Sequence, residues 1–325
     1  MKRYLIVFFA IIAFAFITSC DAESSVPGEI PPQSVSSEDV RIETEIVDGK
    51  KVEHYYDIAT GKQIKQIKYN ENGKKTLEVE YNPTNGRIIK STQFYPTGTI
   101  FQVYENDPAT GTTIKNIRYN QNGNKNQEIE YVPGTGTVIK RTYFKANNII
   151  ESVEEYNPDN GLMIKETYYN SDGIKTLEIE YNPNNGNKIK ESIFNNDGTK
   201  KTNEYDPETG KPVKAISYYA NNNKNTEEDY DPETGKLIKA TTYFENSFKK
   251  TEEYYDPATE KPIKVINYDY AENIWTEFQY NPNTGKLLLF IEYYDDGKKQ
   301  KEIEYDSETG EKVKETKYDS EGNVI

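Results

Sequence analysis

The sequence predicts an all-β fold, in which tandem antiparallel β-hairpin repeats form an elongated twisted single-sheet ribbon or solenoid. Three observations predict it. Glycine recurs every 25 residues, as at Gly61, Gly86, Gly111 and Gly136, with one step of 24 between Gly186 and Gly210 and one vacancy filled by Glu260. Each period carries two turn signatures. Between them run short segments in which apolar and charged residues alternate. A fixed period of this length marks a repeat architecture, and no segment of the array offers a helical period.

The first turn signature reads Tyr-Asn/Asp-Pro-x-x-Gly, as in Tyr81-Asn82-Pro83-Thr84-Asn85-Gly86 and Tyr230-Asp231-Pro232-Glu233-Thr234-Gly235. Proline presets the backbone of a turn, the Asn or Asp before it can bond turn amides through its side chain, and glycine takes the left-handed conformation that closes the turn. The second signature lies 12 residues on, at Asn72-Gly73, Asn122-Gly123, Asp172-Gly173 and Asp296-Gly297. Asn-Gly and Asp-Gly are strong hairpin signals. Two turns per period leave two strands of about seven to nine residues.

The strand pattern predicts the pairing. An aliphatic residue and a lysine follow the first glycine, as in Ile64-Lys65 and Ile89-Lys90, and an aromatic residue stands further on, as Tyr69 and Phe94. The return strand alternates, as in Leu77-Glu78-Val79-Glu80-Tyr81. A hairpin loop with an even number of residues at Asn72-Gly73 sets Lys65 on one face with Glu78 and Glu80. It sets Ile64 on the other with Leu77, Val79 and Tyr81. A three-residue loop would place Ile64 among the glutamates, because a one-residue slip flips the face. The even loop is therefore expected, with an Ile/Val/Leu/Tyr face and a Lys/Glu face edged by the aromatic row. About eleven repeats and a leading half repeat fill residues 41–325. They predict 22 to 23 strands and a sheet on the order of 100 Å long, whose twist accumulates past a full turn.

Composition supports a half-exposed sheet. Apolar residues are 34% of the chain and charged residues 29%, yet there are 28 Tyr and 12 Phe. Aromatic and β-branched residues suit a pleated surface. The net charge of −14 argues against nucleic acid as a partner, since phosphate binding needs a basic footprint.

Residues 1–19 read as a lipoprotein signal peptide. Lys2 and Arg3 precede an apolar run, Tyr4 to Ile17, too short for a comfortable membrane span. Ile17-Thr18-Ser19-Cys20 follows, and Cys20 is the single cysteine. Small residues before a cysteine form a lipobox, so Cys20 is the expected lipid-attachment residue and new N-terminus. Multiple acylation would hold the chain stably on a membrane. Residues 20–40, rich in Ser and Pro, read as a flexible tether. The expected location is the bacterial cell envelope, on the outer membrane in a Gram-negative cell.

The unit from Tyr230 to Tyr243, Y-D-P-x-T-G-K-x-I-K-x-x-x-Y, resembles a bacterial repeat domain of unknown function known chiefly from phytoplasma proteins. It is also similar to MORN-variant repeats and, more loosely, to the tyrosine-aspartate repeats of secreted toxins. The resemblance covers residues 45–325. MORN-type repeats imply a β-hairpin ribbon that mediates binding or assembly, and the resemblance supplies no catalytic residues. The leader resembles outer-membrane lipoprotein leaders of the Bacteroidetes type.

No catalytic constellation is expected. His54 is the only histidine, which excludes His-dependent triads and multi-histidine metal sites; it is expected at a surface strand position. Glu78, Glu128 and Glu178 fall on the repeat grid and read as cross-strand partners of lysines, not as the unique carboxylate pair of a glycosidase. Asp206, Asp231, Asp256 and Asp306 recur at turns without the spacing of a calcium loop. No metal or cofactor is expected, and the chain is expected to be a monomer. The period is most irregular over residues 260–294. There Glu260 replaces glycine, the sole tryptophan Trp275 appears, and Leu287-Leu288-Leu289-Phe290-Ile291 is the most apolar run of the array. Trp275, Phe278, Phe290, Tyr293 and Tyr294 are the candidate partner-binding residues. The expected function is a non-enzymatic cell-surface lipoprotein that serves as a protein-binding or structural scaffold; the alternative is carbohydrate binding through the aromatic rows.

Overall fold

The computed structural model describes residues 39–325. The signal peptide, Cys20 and nearly all of the tether lie outside the described residues. Twenty-three strands, β1 to β23 in chain order, form one antiparallel sheet in which each strand pairs with its neighbours in sequence. Every substantial contact between strands is likewise with a sequence neighbour. The sheet is open, running from β1 (Val40–Val47) to β23 (Lys312–Lys317). Lysines 312, 314 and 317 of β23 charge its outer edge, a device that discourages edge-to-edge pairing. Among the described residues no helix is long and apolar enough to cross a membrane.

The face assignment holds, but by a different device. In the hairpin of β3 (Gln63–Tyr69) and β4 (Lys75–Tyr81), Lys65 pairs with Glu80, Gln66 with Val79 and Ile67 with Glu78. The loop, however, has three residues. Asn70 N–H donates to the Lys74 carbonyl at 2.8 Å, and Gly73 N–H donates to Asn70 O at 3.0 Å. The register then shifts between Lys68 and Tyr69, leaving Thr76 unpaired as a β-bulge. An odd loop and one extra residue give the same face parity as an even loop. The other turn does the same in reverse. Asn82 N–H donates to Arg87 O around a four-residue loop, and Ile89 is the unpaired residue as β4 meets β5 (Ile88–Phe94). The periodic aliphatics Ile64, Ile89 and Ile114 are thus bulge residues.

The 24-residue step has the same origin. Where β13 (Lys188–Phe194) meets the six-residue β14 (Lys200–Tyr205), Ile193 pairs with Lys201 and Phe194 with Lys200 with no shift. The missing residue is the bulge, so the deletion leaves the strand ladder intact.

Burial is deepest along the Lys/Glu face. A central row takes one residue from each strand. Ile67, Thr92, Val103, Ile117 and Thr142 are buried, and Glu78 and Glu128 stand in the same row, Glu78 between Ile67 and Thr92 and Glu128 between Ile117 and Thr142. The opposite face is more polar than expected, because Gln66, Lys68, Ser91 and Gln93 stand across from Val79 and Leu77. No side chain is fully buried among the described residues, as a single sheet layer dictates.

The row of carboxylates carries its own counter-charges. Lys75 reaches Glu78 at 2.6 Å from the same strand and Lys65 reaches it from the strand before; Glu128 repeats this with Lys125 at 2.7 Å and Lys115 at 2.5 Å. The same lysines cover rings on the next strand, Lys75 over Phe94 at 5.9 Å and Lys175 over Phe194 at 4.5 Å, where a cation is attracted to the ring face.

Candidate functional site

The turn geometry that repeats along the ribbon fixes which side chains can meet at its edge. At each Asn-Gly-type turn the residue after the strand's terminal aromatic enters the loop, and the bulge residue on the return strand is left unpaired beside it. In three repeats these positions hold Asn with a small or polar residue, as Asn70 with Thr76, Asn120 with Asn126 and Asn170 with Thr176, and in one early repeat they hold the aromatic pair Tyr95 and Phe101, 5.1 Å apart. Between residues 219 and 295 aromatic residues recur at successive turns of this edge. Tyr219, Phe244 and Tyr294 take the loop position, Tyr270 stands next to it in the turn after Tyr268, and Trp275 is the bulge residue of β20 (Ile274–Tyr280).

The bulge explains the placement of Trp275. Asn267 on β19 (Pro262–Tyr268) pairs with Thr276 and Tyr268 pairs with Ile274, so Trp275 has no partner. Its side chain leaves the ladder and is 59% exposed, and Tyr270 is 74% exposed. Phe244 stacks on Tyr270 with ring centroids 4.1 Å apart and planes 23° from parallel. Together with Tyr293 and Tyr294 these rings line a cleft of about 470 Å³. Two shallower clefts continue it along the same edge, sharing Phe244 and Tyr270, and then Tyr219 and Glu245.

A substitution in the lysine row opens the cleft. Lys224 and Lys249 cover Tyr243 and Tyr268 at 5.8 and 5.7 Å. Ile274 occupies the corresponding position on the next hairpin, so no lysine from there reaches Tyr293. Glu277, 8% exposed, keeps Lys264 at 3.0 Å and accepts from Gln279 at 2.8 Å. Burial, reinforced by the Glu277 charge, pushes the Tyr293 hydroxyl above its usual range. On the rim, Asp269 accepts from the amides of Ala271 at 2.8 Å and Asn273 at 2.9 Å. Those backbone bonds hold its carboxyl below the usual range.

The predicted site residues divide. Trp275, Tyr293 and Tyr294 meet at the cleft. Phe278 and Phe290 do not. They pair across β20 and β21 (Leu287–Tyr293), 5.0 Å apart, on the face opposite Glu277, Ile291 and Tyr293. Strand alternation separates them from the cleft. Phe244 and Tyr270 were missed; the exchange of Asn for an aromatic at the loop position was the signal that could have found Phe244. In the apolar run, Leu287 to Phe290 are half-buried and Ile291 is buried.

The other candidates are satisfied locally. His54, 18% exposed in its side chain, meets Glu45 at 3.1 Å and Gln63 at 3.2 Å. Asp206 accepts from Glu208 N–H at 3.0 Å, Thr209 N–H at 2.7 Å and the Thr209 hydroxyl at 2.9 Å, which is turn chemistry. Among the described residues no group of three or more His, Cys, Asp or Glu could hold a metal ion.

A sequence profile described as a protein of unknown function (DUF2963) matches residues 47–93, 94–143, 144–193, 194–242, 219–267 and 293–325, well over half of the chain. No curated protein matches the chain. Among solved structures, a TarM mutant of S. aureus in complex with fondaparinux, α-GlcNAc-glycerol and UDP is 16% identical over 35% of this chain and 21% of its own, with a TM-score of 0.26. A second TarM structure is 14% identical over 40% of this chain and 20% of its own, at 0.20. A porin-like protein from Bacteroides uniformis is 12% identical over 83% of this chain and 91% of its own, at 0.16. The chain spans about a fifth of the length of the TarM structures.

Proposed function

The chain belongs to the DUF2963 family of proteins of unknown function, and we propose that it is a non-enzymatic cell-surface lipoprotein whose repeats form a binding scaffold. The observation that carries this reading is the contrast between regular and irregular repeats. In the regular ones the central carboxylates Glu78 and Glu128 are each neutralised by two neighbouring lysines, and a turn such as that at Asp206 satisfies its own amides, so this chemistry is directed inward. In the irregular ones aromatic rings open onto the hairpin edge. Rigid aromatic side chains supply contact area at low entropic cost. On this reading the regular repeats space the contact surface from the membrane, and acylated Cys20 with the Ser/Pro-rich tether holds the ribbon to the envelope.

Carbohydrate binding is a second reading, favoured by the open ring face of Trp275 beside the amide and carboxylate groups of Asn273 and Asp269. Two measurements test the first reading. A Cys20→Ala variant should leave the membrane fraction, and its retention there would exclude the lipid anchor. Incubation of the purified chain with polysaccharide and peptide substrates should release no product; turnover would exclude the scaffold.

A further inference from the structure

We propose that the outer edge of β1 is a self-association site, at which two copies of this chain pair their first strands antiparallel about a twofold axis. Such pairing is independent of what the aromatic edge binds, and it replaces the monomer expected from sequence. The two edges of the sheet are built differently. β23 is six residues long, is interrupted by the unpaired Val313 and carries three lysines. The chain then turns back on it, so that Tyr318 pairs with Val324 and Ile325 N–H donates to Lys317 O at 3.0 Å. Each of these features blunts an edge. β1 pairs with β2 (Lys50–Asp57) over eight residues without a bulge and holds neither lysine nor proline. Seven of its eight residues are exposed, Ile42 by 55% and Ile46 by 67%. A regular strand left open in this way is a template for another strand.

The chemistry of β1 selects a second copy as the occupant. Ile58 N–H donates to Asp39 O at 2.9 Å and the ladder runs on without a shift, so the odd-numbered residues of β1 direct their backbone groups to β2. The two sets alternate along a strand, so the amides and carbonyls of Val40, Ile42, Thr44 and Ile46 face outward. Only a register in which these four meet one another forms a ladder. A pair centred on Glu43 achieves this over residues 40–46. Val40 then meets Ile46 and Ile42 meets Thr44 on one face, while Arg41 meets Glu45 at both ends of the other. Opposite charges directly across a ladder stabilise it and like charges destabilise it. Arg41 already holds Glu43 at 3.3 Å, so the single like-charge pair, Glu43 against Glu43 on the axis, has a cation on either side. Centring on Ile42 would set Asp39 against Glu45 twice, and centring on Thr44 would set Glu43 against Glu45 twice. The net charge of −14 is spread along the ribbon, and charges more than about 8 Å from the contact are largely screened at physiological salt. The chain's own start is a poor substitute, because Pro27, Pro31 and Pro32 precede β1 and proline has no N–H to give a ladder. The joined sheet would run on the order of 200 Å, with both first strands at its middle and an aromatic edge in each half.

Cys20 is the only cysteine, so single-cysteine variants of the full chain in a Cys20→Ala background read the register. With oxidised glutathione as oxidant, Glu43→Cys should form a disulfide dimer with itself, because on the axis its two Cα atoms stand about 4.5 Å apart. Glu45→Cys alone should not, since its two copies lie about 14 Å apart; mixed with Arg41→Cys chains, it should. Without cysteines, sedimentation should show dimers growing in between about 1 and 100 μM, the range of a small interface. X-ray scattering should show the longest dimension nearly doubled. Thr44→Pro deletes an outward amide that β2 does not use and should weaken dimerisation by about tenfold or more, with circular dichroism unchanged. Ile42→Lys, at a side chain already exposed, should do the same and covers the case in which proline disturbs the strand. A monomer at every concentration up to about 0.5 mM, a dimer no longer than the monomer, a dimer that survives both variants, or equal cross-linking of Glu45→Cys alone overturns the proposal.

Discussion

The hydroxyl of Tyr268 donates to Glu252 at 2.7 Å, joining an aromatic residue at the end of one strand to a carboxylate in the middle of the strand before it. Glu252 is 4% exposed, and Lys239 and Lys249 reach it at 2.8 and 2.9 Å. Removing the carboxylate takes the partner from two ammonium groups and from the hydroxyls of Tyr268 and Tyr254. Glu252→Ala should cost about 3 kcal/mol, and Tyr268→Phe, which deletes one bond, about 1 kcal/mol. Contacts run only between neighbouring strands, so the loss should be local. Amide hydrogen exchange should quicken in residues 237–280 and stay unchanged in residues 63–131.

Acid should loosen the ribbon in a defined window. Glu53, Glu227 and Glu252 are each held down to about 2, against an ordinary 4.5. For Glu53 the leading cause is the Lys51 hydrogen bond. For Glu227 and Glu252 burial pushes upward, and bonds from lysine and tyrosine overcome it. Depressed carboxylates stabilise the fold above their unfolded value and lose that contribution as pH falls through the folded one. Thermal melting should be level down to about pH 5 and decline between about pH 4.5 and 2.

At the alkaline end the sign reverses. Burial, followed by the bonds to Glu53 and Glu253, pushes Tyr55 and Tyr255 up to about 12 from an ordinary 10.0. The folded chain holds these protons longer than the unfolded chain does. The contribution is complete below pH 10 and lost as pH rises from about 10 to 12. A Tyr55→Phe and Tyr255→Phe double variant should lose less stability than the parent chain over that interval, read by thermal melting at each pH.

Four turn positions between residues 222 and 272 carry side chains in the left-handed region: Asn222, Ser247, Glu260 and Glu272, with φ from 60° to 74°. That region costs a side-chain-bearing residue about 1 kcal/mol relative to glycine. Ser247→Gly and Glu260→Gly should each raise stability by about 0.5–1 kcal/mol. The exposed Glu260–Lys236 ion pair at 2.9 Å is a minor offset. Urea denaturation of the single and double variants would check the sign and the additivity.

The bulge makes a deletion test available. Asn126 is the unpaired residue where β7 (Thr113–Tyr119) meets β8 (Lys125–Tyr131), the counterpart of the residue that β14 lacks. Deleting Asn126 should shift stability by less than about 1 kcal/mol. Inserting alanine between Glu128 and Ile129 sends one end of the strand to the wrong face and should abolish exchange protection in β8 and both neighbours.

Much of this was legible because the turn chemistry is explicit. Asp206 and Gly210 announce their turn, and the alternation at Leu77–Tyr81 announces which side chains share a face. The bulges were not legible, since Thr76 has no partner but carries no chemical mark of it, and an odd loop plus a bulge yields the parity of an even loop. The same ambiguity divided the candidate site. Trp275 and Phe278 lie three residues apart in one strand, yet one sits at the bulge and the other within the ladder. Burial was not legible where it depends on both neighbours of a strand: Glu252 is buried because Thr241 and Ile266 flank it.

An open sheet in which every strand touches only its chain neighbours has no closure condition to satisfy. A barrel or propeller tolerates only certain numbers of strands, whereas here a hairpin can be added or lost anywhere and the rest of the molecule is unaffected. Length is therefore a free variable for a gene that recombines between its own repeats. Each hairpin duplicated between β1 and the aromatic edge would set that edge about 10 Å further along the sheet from β1.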